Sequence, residues 1–171
     1  FIHELKTGRI LDVNDRTCEM YRCTREQARH CGLNEMSEGV APYNEEAASR
    51  RFQKAAADGV PQVFPWRCRR LDGTVFWGEV RMSRGRVGGE DVLVACVSDI
   101  TERRKAEREL EEATERFLLL SENIDQVFWI ASPDRGAMLY VSPAVEKIWG
   151  RSGGDGAWTP ERWAESIDPE D

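Results

Sequence analysis

Five cysteines and two histidines are the side chains of this sequence best suited to hold a metal or act as a nucleophile: Cys18, Cys23, Cys31, Cys68 and Cys96, with His3 and His30. Structural zinc needs closely spaced thiolates or imidazoles. No C-x-x-C pair occurs, and two histidines are too few for a multi-histidine site, so no metal ligands are expected. The thiols read as five reduced cysteines of a cytoplasmic protein. Cys68 and Cys96 sit in apolar strand patterns, where a free Cys is a small core residue. Neither G-x-G-x-x-G nor G-x-x-x-x-G-K-[ST] occurs, so the sequence has no phosphate cradle. No catalytic residues are expected, and the segment reads as non-enzymatic.

Composition narrows the partners. The chain has 171 residues and a net charge of −7, which argues against non-specific nucleic-acid binding. The longest apolar run is Val92-Leu-Val-Ala-Cys-Val97, far short of the about 20 residues a membrane helix needs. No signal peptide pattern is present.

The elements that must position any site follow from periodicity. Residues 1–5 and 9–13 read as strands joined at Lys6-Thr-Gly8. Short helices follow: one to Tyr21 capped by Asn14 or Asp15, then residues 24–30. A longer helix at 44–58 places Ala47, Ala48, Phe52 and Ala55 or Ala56 on one face and stops at Gly59. Strands at 63–71 and 74–82 flank Asp72-Gly73, a strong hairpin signal, and residues 91–98 form a third strand after a turn at 85–89. This is α+β, an antiparallel sheet with helices on one face. Alternation puts Phe64, Trp66, Cys68, Phe76, Gly78, Val80, Met82, Leu93, Ala95 and Val97 on the face toward the helices. The other face holds Arg67, Arg69, Glu79 and Arg81, with Trp77, Val92, Val94 and Cys96 as an apolar patch expected to be covered by an N-terminal helix missing from this sequence or by a second subunit.

Residues 101–124 change character. Eleven charges fall between Glu102 and Arg116, while Ala106, Leu110, Ala113, Phe117, Leu120 and Ile124 are spaced 4, 3, 4, 3, 4, with Arg103 at the preceding seam position. That is an a/d seam, expected to pair two chains in a short parallel coiled coil. Asp99 and Glu102 have the D-x-x-E spacing of a capping box, and Glu112 and Arg116 are an i,i+4 pair.

Residues 125–171 restart the opening pattern. A strand at 126–131, a turn at 133–136 and a strand at 138–142 follow one another. Val141-Ser142 and Trp149 repeat Val13-Asn14 and Tyr21 at an offset of 128 residues. The sequence ends before any counterpart of the long helix or the three-stranded meander, so the second copy is expected to be incomplete.

At this point the residues carry a family resemblance. Gly8-Arg-Ile-Leu-Asp-Val-Asn14, Arg69-Arg-Leu-Asp-Gly-Thr-Val-Phe-Trp77 and Val97-Ser-Asp-Ile-Thr-Glu-Arg-Arg-Lys105 make residues 1–100 resemble a PAS domain, the sensory module common in bacterial signalling proteins. Tyr140-Val-Ser-Pro143, Ile148-Trp-Gly-Arg151 and Ile167-Asp-Pro-Glu-Asp171 resemble the front half of a second PAS domain, of the type found in sensor histidine kinases. The resemblance implies a five-stranded sheet in order 2-1-5-4-3, cupping a pocket against short helices and followed by a long helix. It also implies a homodimer. Residues 101–124 would be a signalling helix leading to an output domain outside this sequence, and Asp99 and Thr101 would couple sheet to helix.

Family ligands can be tested against residues. Haem-type members carry a His on the long helix, and residues 44–58 have none. Covalent flavin members carry Asn-Cys-Arg-Phe after the short helices; here the stretch is Gly32-Leu-Asn-Glu-Met36, with Glu35 where the reactive Cys would be. An empty pocket is the first expectation. Non-covalent FAD could stack on Phe64, Trp66 and Phe76, and a small-molecule ligand is also compatible. Gly88-Gly-Glu-Asp91 superficially resembles the diguanylate cyclase motif but lacks its closing Glu-Phe and sits in a hairpin turn. The function implied is a sensory and dimerisation module feeding a histidine kinase in a two-component phosphorelay. The alternatives are a module feeding a diguanylate cyclase or phosphodiesterase, and a flavin-based or small-molecule redox sensor.

Overall fold

The computed structural model of the chain describes residues 1–133 and 138–150, and two compact units divide it, Phe1–Ala106 and Glu107–Asp171. Part of the predicted turn at 133–136, Arg151 and the motif at 167–171 lie outside the described residues. In the first unit the strands are β1 (Ile2–Glu4), β2 (Ile10–Asp12), β3 (Gln62–Arg69), β4 (Val75–Val87) and β5 (Glu90–Asp99). They form one antiparallel sheet in the order β2-β1-β5-β4-β3. Between β2 and β3 come α1 (Asp15–Tyr21), α2 (Arg25–His30) and α3 (Glu45–Asp58). The α+β architecture is the one the sequence pattern predicts, and the strand order is the one the family resemblance implies.

Local chemistry explains the elements. Asn14 caps α1 by accepting from the Thr17 amide at 2.9 Å. Thr24 and Gln27 form a reciprocal capping box on α2. Asn44 caps α3, and Gly59 ends it at φ +64°, a conformation other residues adopt at a cost. In the β3–β4 turn, Asp72 Oδ1 accepts from the Thr74 amide at 2.9 Å, and the Thr74 amide and hydroxyl hold the Asp72 carboxyl down at about 2.

The second hairpin differs from the sequence expectation. β4 runs on to Val87 and only Gly88 and Gly89 make the turn, both at positive φ. Gly85 stays within the strand, where a Cβ would stand 3.1 Å from Val94 Cγ2. The two-residue glycine turn matches the twist of its strands, so the ladder extends to Val87 and Glu90.

Phe64, Trp66, Cys68, Phe76, Val80, Met82, Leu93 and Ala95 are buried in one cluster with Ala48, Phe52 and Ala55 of α3. Each large side chain removed from water contributes roughly 1.5–3 kcal/mol. Gly78 is also buried, because Cys68 Sγ would lie 2.7 Å from a Cβ there.

The outer face is less open than expected. Val92 is buried, and the Trp77 ring carries the guanidinium groups of Arg104, at 3.9 Å, and Arg67, at 5.1 Å, over it, with Tyr43 in T-shaped contact at 5.6 Å. Cations over an indole face are attracted to its quadrupole, so the chain itself covers this part of the patch. Of the four patch residues only Cys96 is exposed, with Val94 half-buried.

A long helix, α4 (Thr101–Glu122), begins in the first unit and continues into the second. The second unit also holds β6 (Trp129–Ala131), β7 (Met138–Val141) and α5 (Ala144–Trp149), with β6 and β7 paired antiparallel. Phe117 packs edge-on against Tyr140 at 5.0 Å and Phe128 at 6.3 Å. Tyr140 donates its hydroxyl proton to Ser121 Oγ at 2.6 Å. Ser142, the counterpart of the cap Asn14, accepts instead from the Phe128 amide, and α5 starts without a side-chain cap. Arg108–Glu112 at 2.9 Å and Arg116–Glu112 at 3.8 Å brace α4 as i,i+4 pairs.

Candidate functional site

Two features of the first unit stand out: an apolar cavity between the sheet and the helices, and the junction where β5 becomes α4. The cavity has a volume of about 60 Å³. Of the ten residues predicted to line it, Phe64, Trp66, Cys68, Val80, Met82, Ala95 and Val97 do so. Phe76, Gly78 and Leu93 are buried but do not reach it. The remaining lining comes from β1, β2 and the helical layer: Phe1, His3, Ile10, Tyr21, Gly32, Leu33, Met36, Ser37, Ala48 and Arg51.

The polar atoms on this lining are nearly all engaged. Ser37 Oγ accepts from Trp66 Nε1 at 3.0 Å and donates to the Leu33 carbonyl at 2.7 Å. Burial pushes the Tyr21 hydroxyl pKa well up, and the Cys68 thiol faces the Trp66 carbonyl at 3.9 Å. Burial also raises Cys68, to about 11, so it is a protonated thiol and a poor nucleophile. His3 is 3% exposed, and its Nδ1 donates to the Gly8 carbonyl at 2.9 Å. Burial pulls its pKa below the ordinary histidine value more strongly than that hydrogen bond raises it, so the ring is neutral at pH 7.

α3 offers no His to a haem iron. Of the three aromatic residues expected to stack a flavin, Phe64 and Trp66 line the cavity and Phe76 does not. Trp66 makes T-shaped contacts with Tyr43 at 5.3 Å and Phe64 at 5.9 Å. Among the described residues, no group of three or more His, Cys, Asp or Glu could hold a metal ion.

At the junction, the β4–β5 ladder pairs Gly78 with Asp99, and the Ile100 amide continues it by donating to the Trp77 carbonyl at 2.8 Å. The Trp77 amide donates to Thr101 Oγ1 at 3.0 Å. The backbone of Trp77 therefore holds both residues on which α4 begins. Because the ladder keeps Ile100 in the sheet, the helix starts one residue later than a D-x-x-E box requires. Asp99 Oδ1 accepts from the Thr101 amide at 3.0 Å, not from that of Glu102. This corrects the capping-box expectation.

Asp99 Oδ2 takes Arg70 Nη2 at 2.9 Å. Burial pushes the Asp99 carboxyl up, but the hydrogen bonds from Thr101 and Arg70 outweigh it and hold it below the usual carboxylate range. Arg70 also donates to the Met20 carbonyl at the end of α1 and lies 4.2 Å over the Phe76 ring. One guanidinium thus joins the helical layer, the β3–β4 hairpin and the start of α4. Sequence reading picks out Asp99 and Thr101 but not Arg70, which looks like one more charge beside a turn. Arg103, at the head of the seam, lies 3.7 Å from Glu79 of β4. Of the seam residues, Leu110, Leu120 and Ile124 are exposed, as are Ala106 and Ala113, while Phe117 faces Phe128 and Tyr140.

Comparison with known proteins completes the description. Residues 1–102 match the family model described as PAS domain. Among solved structures, a PAS domain from a two-component sensor histidine kinase is 23% identical with a TM-score of 0.44, covering 58% of this chain and 81% of its own. The PAS domain of a protein from Desulfitobacterium hafniense is 17% identical with a TM-score of 0.47, covering 57% of this chain and 88% of its own. No curated protein matches the chain.

Proposed function

The chain belongs to the PAS domain family, and we propose that it is a sensory and dimerisation module that relays an event in the cavity of its first unit through α4 to an output domain. Residues 1–100 are the sensing domain, residues 101–124 the signalling helix and residues 125–171 the front half of a second PAS domain. The output is a histidine kinase of a two-component system, and the protein works in the cytoplasm as a homodimer.

One observation carries this reading. Val80 and Met82 of β4, with Ala95 and Val97 of β5, line the cavity, and the same two strands hold the start of α4 through Trp77 and Asp99. A shift of either strand on ligand entry must displace Ile100 or Thr101, because a closely packed interior transmits strain rather than absorbing it. No separate transmission element is needed.

Thr101→Val in the parent protein is the test. Valine keeps the shape of threonine but removes the acceptor for the Trp77 amide. The variant should fold, by circular dichroism, and its output should no longer follow the stimulus. A variant that responds like the wild type would contradict the proposal.

A further inference from the structure

His3 brings an unsatisfied nitrogen to the lining of the cavity. His3 Nδ1 carries the proton it donates to Gly8, so Nε2 presents a lone pair, and that nitrogen has no hydrogen-bond partner among the described residues. Buried acceptors are almost always satisfied, and an exception needs a cause. Ser37, Trp66 and Cys68 satisfy one another or nearby carbonyls. Arg51 stands exposed at the rim, its guanidinium 4.5 Å from the Phe64 ring centroid.

Water is a poor occupant. About 60 Å³ is several times the space that one water needs, but a buried water wants two to four polar partners and this wall is overwhelmingly apolar. A charged ligand would find no opposite charge within the cavity, only Arg51 at its mouth. The surroundings of His3 are aromatic, with Phe1 stacked at 5.9 Å and Phe52 edge-on at 5.7 Å. Such rings pack well against another ring's edge or face.

We infer that the cavity takes a small, neutral, largely apolar molecule of about phenol's size or less, carrying one hydrogen-bond donor, and that His3 Nε2 is the acceptor that recognises it. This rests on the sensory reading above and gives it a ligand class. Specificity follows from the mismatch a wrong ligand creates: an isostere without a donor leaves Nε2 buried and unpaired.

The test titrates phenol, toluene and benzoate into the 171-residue chain and reads affinity by calorimetry. Phenol should bind about ten-fold or more tightly than toluene. His3→Phe should make the two bind alike, because it removes the acceptor and keeps a ring. Toluene equal to phenol on the wild-type chain would overturn the inference, and that comparison does not depend on any variant folding. Absence of binding by all three would also overturn it. So would benzoate as the tightest ligand with its advantage lost in Arg51→Ala, which would place recognition at the rim. Failure here leaves the Thr101→Val result standing. Conversely, discrimination by His3 in a protein whose output ignores Thr101→Val would separate a real ligand site from a wrong relay.

Discussion

Arg70 and Asp99 meet at 2.9 Å across the end of the β3–β4 hairpin, and through them α1, the sheet and the start of α4 share one charged hydrogen bond. The Arg70 side chain is largely shielded, at 16% exposure, and that of Asp99 is partly shielded, at 32%, so this pair is screened less than the more open surface ion pairs around it. Arg70→Met should cost about 1–3 kcal/mol of stability, since it takes the donor from Asp99 Oδ2 and from the Met20 carbonyl. Chemical denaturation of the variant checks this. A loss under about 0.5 kcal/mol, the range of ordinary surface substitutions, would show the link to be incidental.

Gly78 is fixed by contact with Cys68. A methyl group there would meet Cys68 Sγ at 2.7 Å and Val97 Cγ1 at 3.0 Å, so Gly78→Ala should destabilise by about 1–3 kcal/mol through overpacking. Adding Cys68→Ala removes the sulfur and should recover part of that loss. A double variant no more stable than Gly78→Ala alone would rule out the steric account.

Stability should fall as the solution is acidified from pH 7 toward pH 5. His3 is held neutral in the folded chain by burial, with its pKa below the ordinary value of about 6.5. The unfolded chain takes up a proton as pH drops through that value and the folded chain does not, so the balance shifts toward unfolding. His3→Phe should flatten this part of the profile. The lowered carboxyl of Asp99 acts in a separate window, losing its contribution only as pH falls below the ordinary aspartate value of about 4. Melting curves at half-unit pH steps check both, and a wild-type profile flat from pH 7 to 5 would contradict the His3 assignment.

The proposed dimer is best probed at Leu110, which is 69% exposed on α4. Leu110→Glu should shift the chain toward monomer in sedimentation equilibrium, with little change in helicity. Phe117→Glu is a weaker probe, because Phe117 contacts Phe128 and Tyr140 of its own unit. Unchanged sedimentation of Leu110→Glu would remove the helix seam from the interface.

Much of the frame was legible because strands and helices impose different periods. Alternation along β3 to β5 separates Phe64, Trp66 and Cys68 from Arg67 and Arg69, and the structure keeps that division. The spacing of Ala48, Phe52 and Ala55 identified the buried face of α3. The rest of the site was hidden for physical reasons. Met36 and Ser37 lie in an irregular stretch whose position is set by pairing with Arg69 and Cys68, a tertiary event without a local pattern. Asp99 has the spacing of a cap, but the ladder to Trp77 holds the chain extended one residue longer and redirects its side chain. Arg70 is one of 24 basic residues, and only the fold separates it from those facing water.

The central claim is that the signal leaves the sensing domain through the Arg70–Asp99–Thr101 junction. The most direct test is the stimulus response of the parent protein with Arg70→Ala, Asp99→Ala and both together. If the two residues act as one link, either single change abolishes the response while the fold persists, and the double variant is no worse than the single ones. A normal response in Asp99→Ala, or losses that simply add, would contradict the account.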